Sequence, residues 1–247
     1  MRRLVCLLIP TLIAAAASAQ TIYDTSVTPN FSPGAGIPNA GFVVNNNVPL
    51  LVQTGLTSNY RFGIRQPNGP GDTILRNSLV NNVYTFDAGE SYTNGAATAI
   101  DAGRAAWNFS YSINLNTSGG GSIGQNFNNN TVLLTIDWDP TAGVDQRTYN
   151  YSSLLSTIGL GSLTSLQDSQ NFGFGFWDDP TFLARTGSTA RTTSFNPFAL
   201  GTYRVQLDVI RGGNNISSTE MFVNIVPTPG AAALLGLASL AATRRRR

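Results

Sequence analysis

Two short stretches carry the side chains best suited to chemistry. Ile136-Asp137-Trp138-Asp139-Pro140-Thr141 and Phe176-Trp177-Asp178-Asp179-Pro180-Thr181 each combine a tryptophan, two aspartates and a Pro-Thr step. Clustered carboxylate oxygens on loops suit calcium, so Asp137, Asp139, Asp178 and Asp179 are the candidate metal ligands, and Ca2+ is the ion they would take. Their spacing matches no EF-hand or repeat calcium motif. The plainer reading is favoured: an aspartate ahead of a proline starts a turn, its carboxylate accepting from nearby backbone N–H groups. The same acids could flank a glycosidic bond, but that chemistry depends on a separation in space that a sequence does not specify.

Other chemistries lack their reagents. The chain has no histidine and no lysine, so all 15 basic residues are arginine. No imidazole can serve as general base for a serine nucleophile, and no Ser-Lys pair exists. Zinc hydrolases lose their usual ligands. The one cysteine, Cys6, lies in the apolar stretch at the front, so the remainder carries no thiol or disulfide. No cofactor is implied beyond the calcium reading, and a non-enzymatic protein is expected.

Sugar binding is the rival that composition permits. Aromatic rings stack on sugar faces while Asn and Asp hold hydroxyls. Of Trp107, Trp138 and Trp177, the first two fall on the apolar face of strand-like segments and are expected in the core. Trp177 breaks phase with Phe172, Phe174 and Phe176, and is the candidate ligand-binding residue.

The elements that must position these residues read as strands. Trp107, Phe109, Tyr111, Ile113 and Leu115 alternate with Asn108, Ser110, Ser112 and Asn114. Only a half-buried strand sorts those sets onto opposite faces. Val132, Leu134, Ile136 and Trp138 repeat the pattern, as do Tyr203, Val205, Leu207 and Val209, and then Met221, Val223 and Ile225. The cluster Gly212-Gly213-Asn214-Asn215 predicts a hairpin between the last two. Shorter strands are expected around Tyr60, Phe62 and Ile64, at Val83-Tyr84-Thr85-Phe86, and at Phe172, Phe174 and Phe176, where the intervening glycines predict something packed close. Helix is scarce, with at most one short helix near residues 163–169. Short strands with turn clusters between them predict an all-β fold: an antiparallel β-sandwich, jelly-roll or immunoglobulin-like. Asn-x-Ser/Thr triplets such as Asn108-Phe109-Ser110 and Asn215-Ile216-Ser217 are expected by chance in a chain this rich in Asn and Ser.

The two ends read as routing labels. Arg2 and Arg3 precede an apolar stretch over residues 4–16, and Ala17-Ser18-Ala19 is a small-x-small cleavage site that leaves Gln20 as the new first residue. At the back, Val226-Pro227-Thr228-Pro229 is a rigid break, residues 230–242 are apolar or small, and Arg244, Arg245, Arg246 and Arg247 close the chain. A hydrophobic helix over that run would be short for a bilayer span, with its arginines held on the cytoplasmic side. Three regions follow: a signal peptide at 1–19, an ectodomain at 20–226 and a sorting or anchor segment at 227–247. The net charge of +2 belongs to the ends, since the middle holds nine arginines against thirteen acids, a net of −4. It lacks the basic footprint of a nucleic-acid binder.

The tail resembles the PEP-CTERM sorting signal of exopolysaccharide-producing bacteria, which joins a Pro-Glu-Pro-like motif, a short apolar helix and an arginine cluster. Here Thr228 stands where Glu is usual. The resemblance implies an exosortase partner, transient residence in the membrane, cleavage near the motif, and release or attachment at the cell surface or in the extracellular matrix. The strand set and the hairpin leading into the tail look loosely like other ectodomains of that kind. The expected role is structural or adhesive within extracellular polysaccharide. The alternatives are a carbohydrate-binding module with a defined glycan and, third, a glycoside hydrolase.

Overall fold

The computed structural model describes residues 20–27, 41–60, 76–77, 82–92, 100–118 and 125–228. A five-stranded sheet runs in the order β1 (Gln20–Thr25), β2 (Phe42–Asn47), β3 (Val52–Tyr60), β8 (Trp107–Asn114) and β11 (Ser165–Gln170). A six-stranded sheet runs β10 (Gln146–Asn150), β9 (Thr131–Asp137), β12 (Gly201–Arg211), β13 (Asn214–Val226), β5 (Val83–Asp87) and β4 (Arg76–Asn77). A ribbon of β6 (Glu90–Tyr92) and β7 (Ile100–Ala105) completes the strands described. The chain is mostly β and its sheets are built from antiparallel pairs, compatible with an all-β sandwich. One pair departs from the expectation: β13 runs parallel to β5. Parallel neighbours need a long crossover, and most of the chain lies between these two.

The alternating segments form the core as the pattern predicts. Trp107, Phe109, Tyr111 and Ile113 on β8 face Val132, Leu134 and Ile136 on β9, Tyr203, Val205, Leu207 and Val209 on β12, and Met221, Val223 and Ile225 on β13; all are buried in one cluster. Each such side chain taken from water contributes about 1.5–3 kcal/mol. The sheets also meet through polar atoms. Thr54 Oγ1 on β3 lies 2.8 Å from Ser217 Oγ and 2.7 Å from Thr219 Oγ1 on β13.

β8 differs from a half-exposed strand. Ser110, Ser112 and Asn114, expected toward solvent, are buried as well. They are small and sit on an inner strand, where longer neighbours overhang them: Gln167 Nε2 on β11 donates to Ser112 Oγ at 3.0 Å. The same outer face carries a second apolar cluster of Val27, Phe42 and Val44. Gly55 makes room for it, since a Cβ there would run into Val27 Cγ1 and Phe42 Cδ1.

Among the described residues two short α-helices replace the one expected. α1 (Tyr151–Thr157) starts at Asn150, whose side chain accepts from Ser153 N, and gives out at Gly159, which has φ of +79°. α2 (Pro180–Thr186) starts at Asp179 with Pro180 in its first turn and stops at Gly187, φ +66°. Residues 163–169 are not helical: most of them belong to β11, paired against β8 from Ser165↔Asn114 to Gln170↔Phe109. The Phe172, Phe174, Phe176 alternation is not a strand either. The chain turns at Phe172-Gly173 and winds into a single 3-10 turn, Gly175–Asp178. The predicted close approach is real at Gly173, where a Cβ would strike the backbone of Gly103 and Arg104.

The final hairpin forms as predicted. β12 and β13 pair from Gly201↔Ile225 to Arg211↔Asn214, turning through Gly212 and Gly213 at φ of +56° and +82°. Tyr60 ends β3, whereas Phe62 and Ile64 lie outside the described residues.

Candidate functional site

The two acidic turns come together around a tryptophan pair. The first closes the link from β9 to β10. Asp137 Oδ1 accepts from Asp139 N at 3.2 Å and Asp145 N at 3.0 Å, and Asp139 Oδ1 accepts from Thr141 N at 2.9 Å and Thr141 Oγ1 at 2.7 Å. The second turn leads into α2. Asp179 Oδ1 accepts from Thr181 N and Phe182 N, both at 2.9 Å, as the helix cap. Asp178 instead pairs with Arg191, whose Nε donates at 2.9 Å and whose Nη2 reaches the other carboxylate oxygen. The Arg191 guanidinium lies 4.3 Å over the Trp138 ring. Trp138 and Trp177 meet edge to face at 5.4 Å between centroids. Arg191 thus latches one turn to the other.

The four candidate calcium ligands serve as turn caps, a helix cap and an ion pair. Among the described residues no group of three or more acidic, histidine or cysteine side chains is placed to hold a metal ion. The hydrolase reading gains nothing from Asp178. A glycosidase acid needs its carboxyl held above the usual range, whereas the hydrogen-bonded Arg191 guanidinium holds this one below it.

Trp177 requires a correction. It is 0% exposed and so has no free face for a sugar. Its Nε1 donates to Asn171 O at 2.8 Å, and Phe176 and Tyr149 lie 4.5 and 5.1 Å away. Trp107 and Trp138 are core residues, as their phase predicts. Tyr149 accepts from Trp138 Nε1 at 3.2 Å, and burial pushes its hydroxyl up to about 12, so it stays protonated.

Three residues that hold this region together were not singled out from the sequence. Arg191 is one. Asp145, 4% exposed, accepts from Thr192 N and Thr193 N, both at 2.9 Å, and pairs with Arg147. Burial works to raise its carboxyl, but these hydrogen bonds and the arginine outweigh burial and hold it low. Asn171 is the third: its Nδ2 donates to Ala105 O, Trp107 O and Asn108 Oδ1, and its Oδ1 accepts from Ala105 N and Gly173 N. None has a sufficient local signal, because each also serves groups 13 to 66 residues away in the chain.

The latch sets a pH dependence. A carboxyl lowered in the folded state adds stability above its unfolded value, and that stability is lost as pH falls through the folded value. Asp178 and Asp145 therefore act together below about pH 4, the usual range for aspartate. Burial raises Asp168 and Asp87, which act with the opposite sign. Comparison with Asp178→Asn isolates the Asp178 share. The melting temperature of the variant is expected to lie below the wild type at pH 6, with the gap closing toward pH 3. A gap unchanged with pH would show that the ion pair adds nothing.

Two further polar features lie apart from the acidic turns. Between β8, β11 and α1, the Tyr111 and Tyr151 rings meet at 5.3 Å near Asp168, whose Oδ1 accepts from Ser169 N at 2.7 Å and whose Oδ2 accepts from the Gln170 amide. Burial raises both tyrosine hydroxyls, which remain neutral donors. At the far end of the sheets, a shallow groove of about 330 Å³ is lined by Asn128, Asn129, Asn130, Asn150, Ser153 and Ser156, with buried Phe127 also in its wall. Amides and hydroxyls dominate it.

Gln20 opens β1, while Ala17 and Ala19 lie outside the described residues. Val226 closes β13, and Pro227 and Thr228 follow it exposed. Pro229, the apolar run expected as a helix, and Arg244, Arg245, Arg246 and Arg247 lie outside the described residues. Among the described residues no helix is long and apolar enough to cross a membrane, which leaves strands untouched. Comparison with known proteins finds no relative: no family model matches the chain, and no curated protein or solved structure is significantly similar.

Proposed function

We propose that this chain is an exported, non-catalytic protein of the cell surface or extracellular matrix of an exopolysaccharide-producing bacterium, with a structural or adhesive role in the polysaccharide. Its body is a β-sandwich of jelly-roll or immunoglobulin-like kind, and its tail is read by an exosortase. The observation that supports this reading is the exposed chain just after β13. β13 packs into the core up to Ile225, Val226 closes it half-buried, and Pro227 and Thr228 beyond it are exposed. A membrane-embedded peptidase could reach such a junction without unfolding the body. The test is expression of the full chain in a host with and without an exosortase, with mass spectrometry of the recovered C-terminus. Termini near residues 226–229 in the first host and intact terminal arginines in the second are expected. Intact arginines in both would refute the sorting role.

The asparagine- and serine-lined groove favours a second reading, a carbohydrate-binding module with a defined glycan. Saturable binding on a glycan array, lost on Asn129→Ala, would support it over the structural role.

A further inference from the structure

We infer that the end of the body from which the tail departs is a lipid-contacting surface, with Phe198, Leu200 and Val144 resting in the headgroup region while the tail is in the membrane. The inference rests on the tail reading above and names what this end of the body touches.

Large exposed apolar side chains are ordinary when scattered. What distinguishes these three is their place. In the β12–β13 pairing Gly201 lies opposite Ile225, so Leu200, one residue earlier, sits at the register position opposite Val226, where the tail begins. Ala88 N donates to Val226 O at 2.8 Å and the adjacent Gly89 N to Pro197 O at 3.0 Å, which fixes the 197–200 segment beside the exit. Thr202 N donates to Pro140 O at 2.8 Å, bringing the β9–β10 loop, and with it Val144, to the same end. Phe198 is 56% exposed, Leu200 49% and Val144 75%.

The length of the connection supplies the occupant. Only Pro227, Thr228 and Pro229 separate the last strand residue from the apolar run beginning at Gly230. Three extended residues reach about 10 Å, roughly the depth of the headgroup layer. A body tethered that closely must rest this end on the bilayer whenever the run is inserted. Apolar and aromatic side chains gain by entering that layer. The opposite end also exposes apolar groups, among them Val48. It is out of reach: Asn47 Nδ2 holds it to Ile216 O, ten residues up β13 from the exit, about 33 Å at strand rise.

The test uses the full chain carrying Cys6→Ser, reconstituted in phosphatidylcholine–phosphatidylglycerol nanodiscs. Single cysteines carry an environment-sensitive fluorophore at Phe198→Cys, Val144→Cys, Val48→Cys or, within the apolar run, Ala238→Cys. Spin-labelled lipids quench any fluorophore they touch. Strong quenching at 238, several-fold more quenching at 198 and 144 than at 48, and a blue shift at the first two are expected. Quenching at 238 with 198 and 144 no different from 48 would overturn the lipid contact and leave the tail reading standing. No quenching at 238 would remove the tail reading and this inference together. A blue shift at 198 that grows with protein concentration and resists lipid quenching would assign the surface to a second copy of the chain, and overturn the inference.

Discussion

Asn171→Ala is expected to cost about 3–5 kcal/mol of folding stability, an unusually large effect for one uncharged polar side chain. Asn171 is 0% exposed and lies just after β11. Its amide faces the corner where the chain leaves the β6–β7 ribbon at Ala105 and enters the main sheet at Trp107. Strand pairing cannot satisfy every backbone group at such a corner, so the side chain does. It accepts from Ala105 N at 3.0 Å and donates to Ala105 O at 2.9 Å and Trp107 O at 2.8 Å. Truncation leaves these groups buried without partners, each costing about 1–3 kcal/mol. Asn171→Asp should be comparably damaging, because it swaps a donor for an acceptor facing two carbonyls. Urea denaturation measures both, with exposed Asn129→Ala as a control expected within about 0.5 kcal/mol of wild type. A loss below about 1 kcal/mol for Asn171→Ala would refute the role given to this side chain.

Trp177→Ala should be of similar size, about 3–5 kcal/mol, for a different reason. The indole fills the space where the two acidic turns meet. Phe109, Trp138, Tyr149, Phe176 and Phe182 have ring centroids within 6.1 Å of it. Removing it leaves a cavity among rigid rings that collapse poorly, and leaves Asn171 O without its 2.8 Å donor. Trp177→Phe should recover much of the packing but not the hydrogen bond, and so fall between. Equilibrium unfolding and near-ultraviolet circular dichroism would read the series. A stable Trp177→Ala protein would put the side chain back on the surface, where a sugar-binding role becomes arguable again.

The residues that the sequence made legible are those whose neighbours are local. Val132, Leu134 and Ile136, and the β12–β13 hairpin, sort by period two because one face is apolar and the other not. At β8 the inward set was equally plain, but the fate of Ser110 and Ser112 depended on β11, a strand more than fifty residues later that sets Ser169 beside Ser110 and Gln167 beside Ser112. Phe172, Phe174 and Phe176 mimic a strand period. The backbone of Gly103 and Arg104, pressed against Gly173, dictates a turn there instead, and with the strand gone the phase argument that turned Trp177 outward loses its basis. Asp179-Pro180-Thr181 did carry a local signal, a capping residue followed by proline at the first helical position, and it marks α2 rather than a simple turn. Asn171, Asp145 and Arg191 left no trace in any short window: Asp145 and Asn171 also hold backbone groups 47 and 66 residues away, and Arg191 reaches back 13 residues to Asp178.

The placement of β13 governs the order in which the body can assemble. It is the last strand of the described chain to be made, yet it sits inside the six-stranded sheet, between β12 and β5. Until it arrives, β10, β9 and β12 form one fragment of that sheet, and β5 with β4 another, each with an open edge and no strand pairing between them. Pairings so distant in sequence also close slowly. The six-stranded sheet therefore closes only once β13 has been made, whatever route the earlier strands have taken.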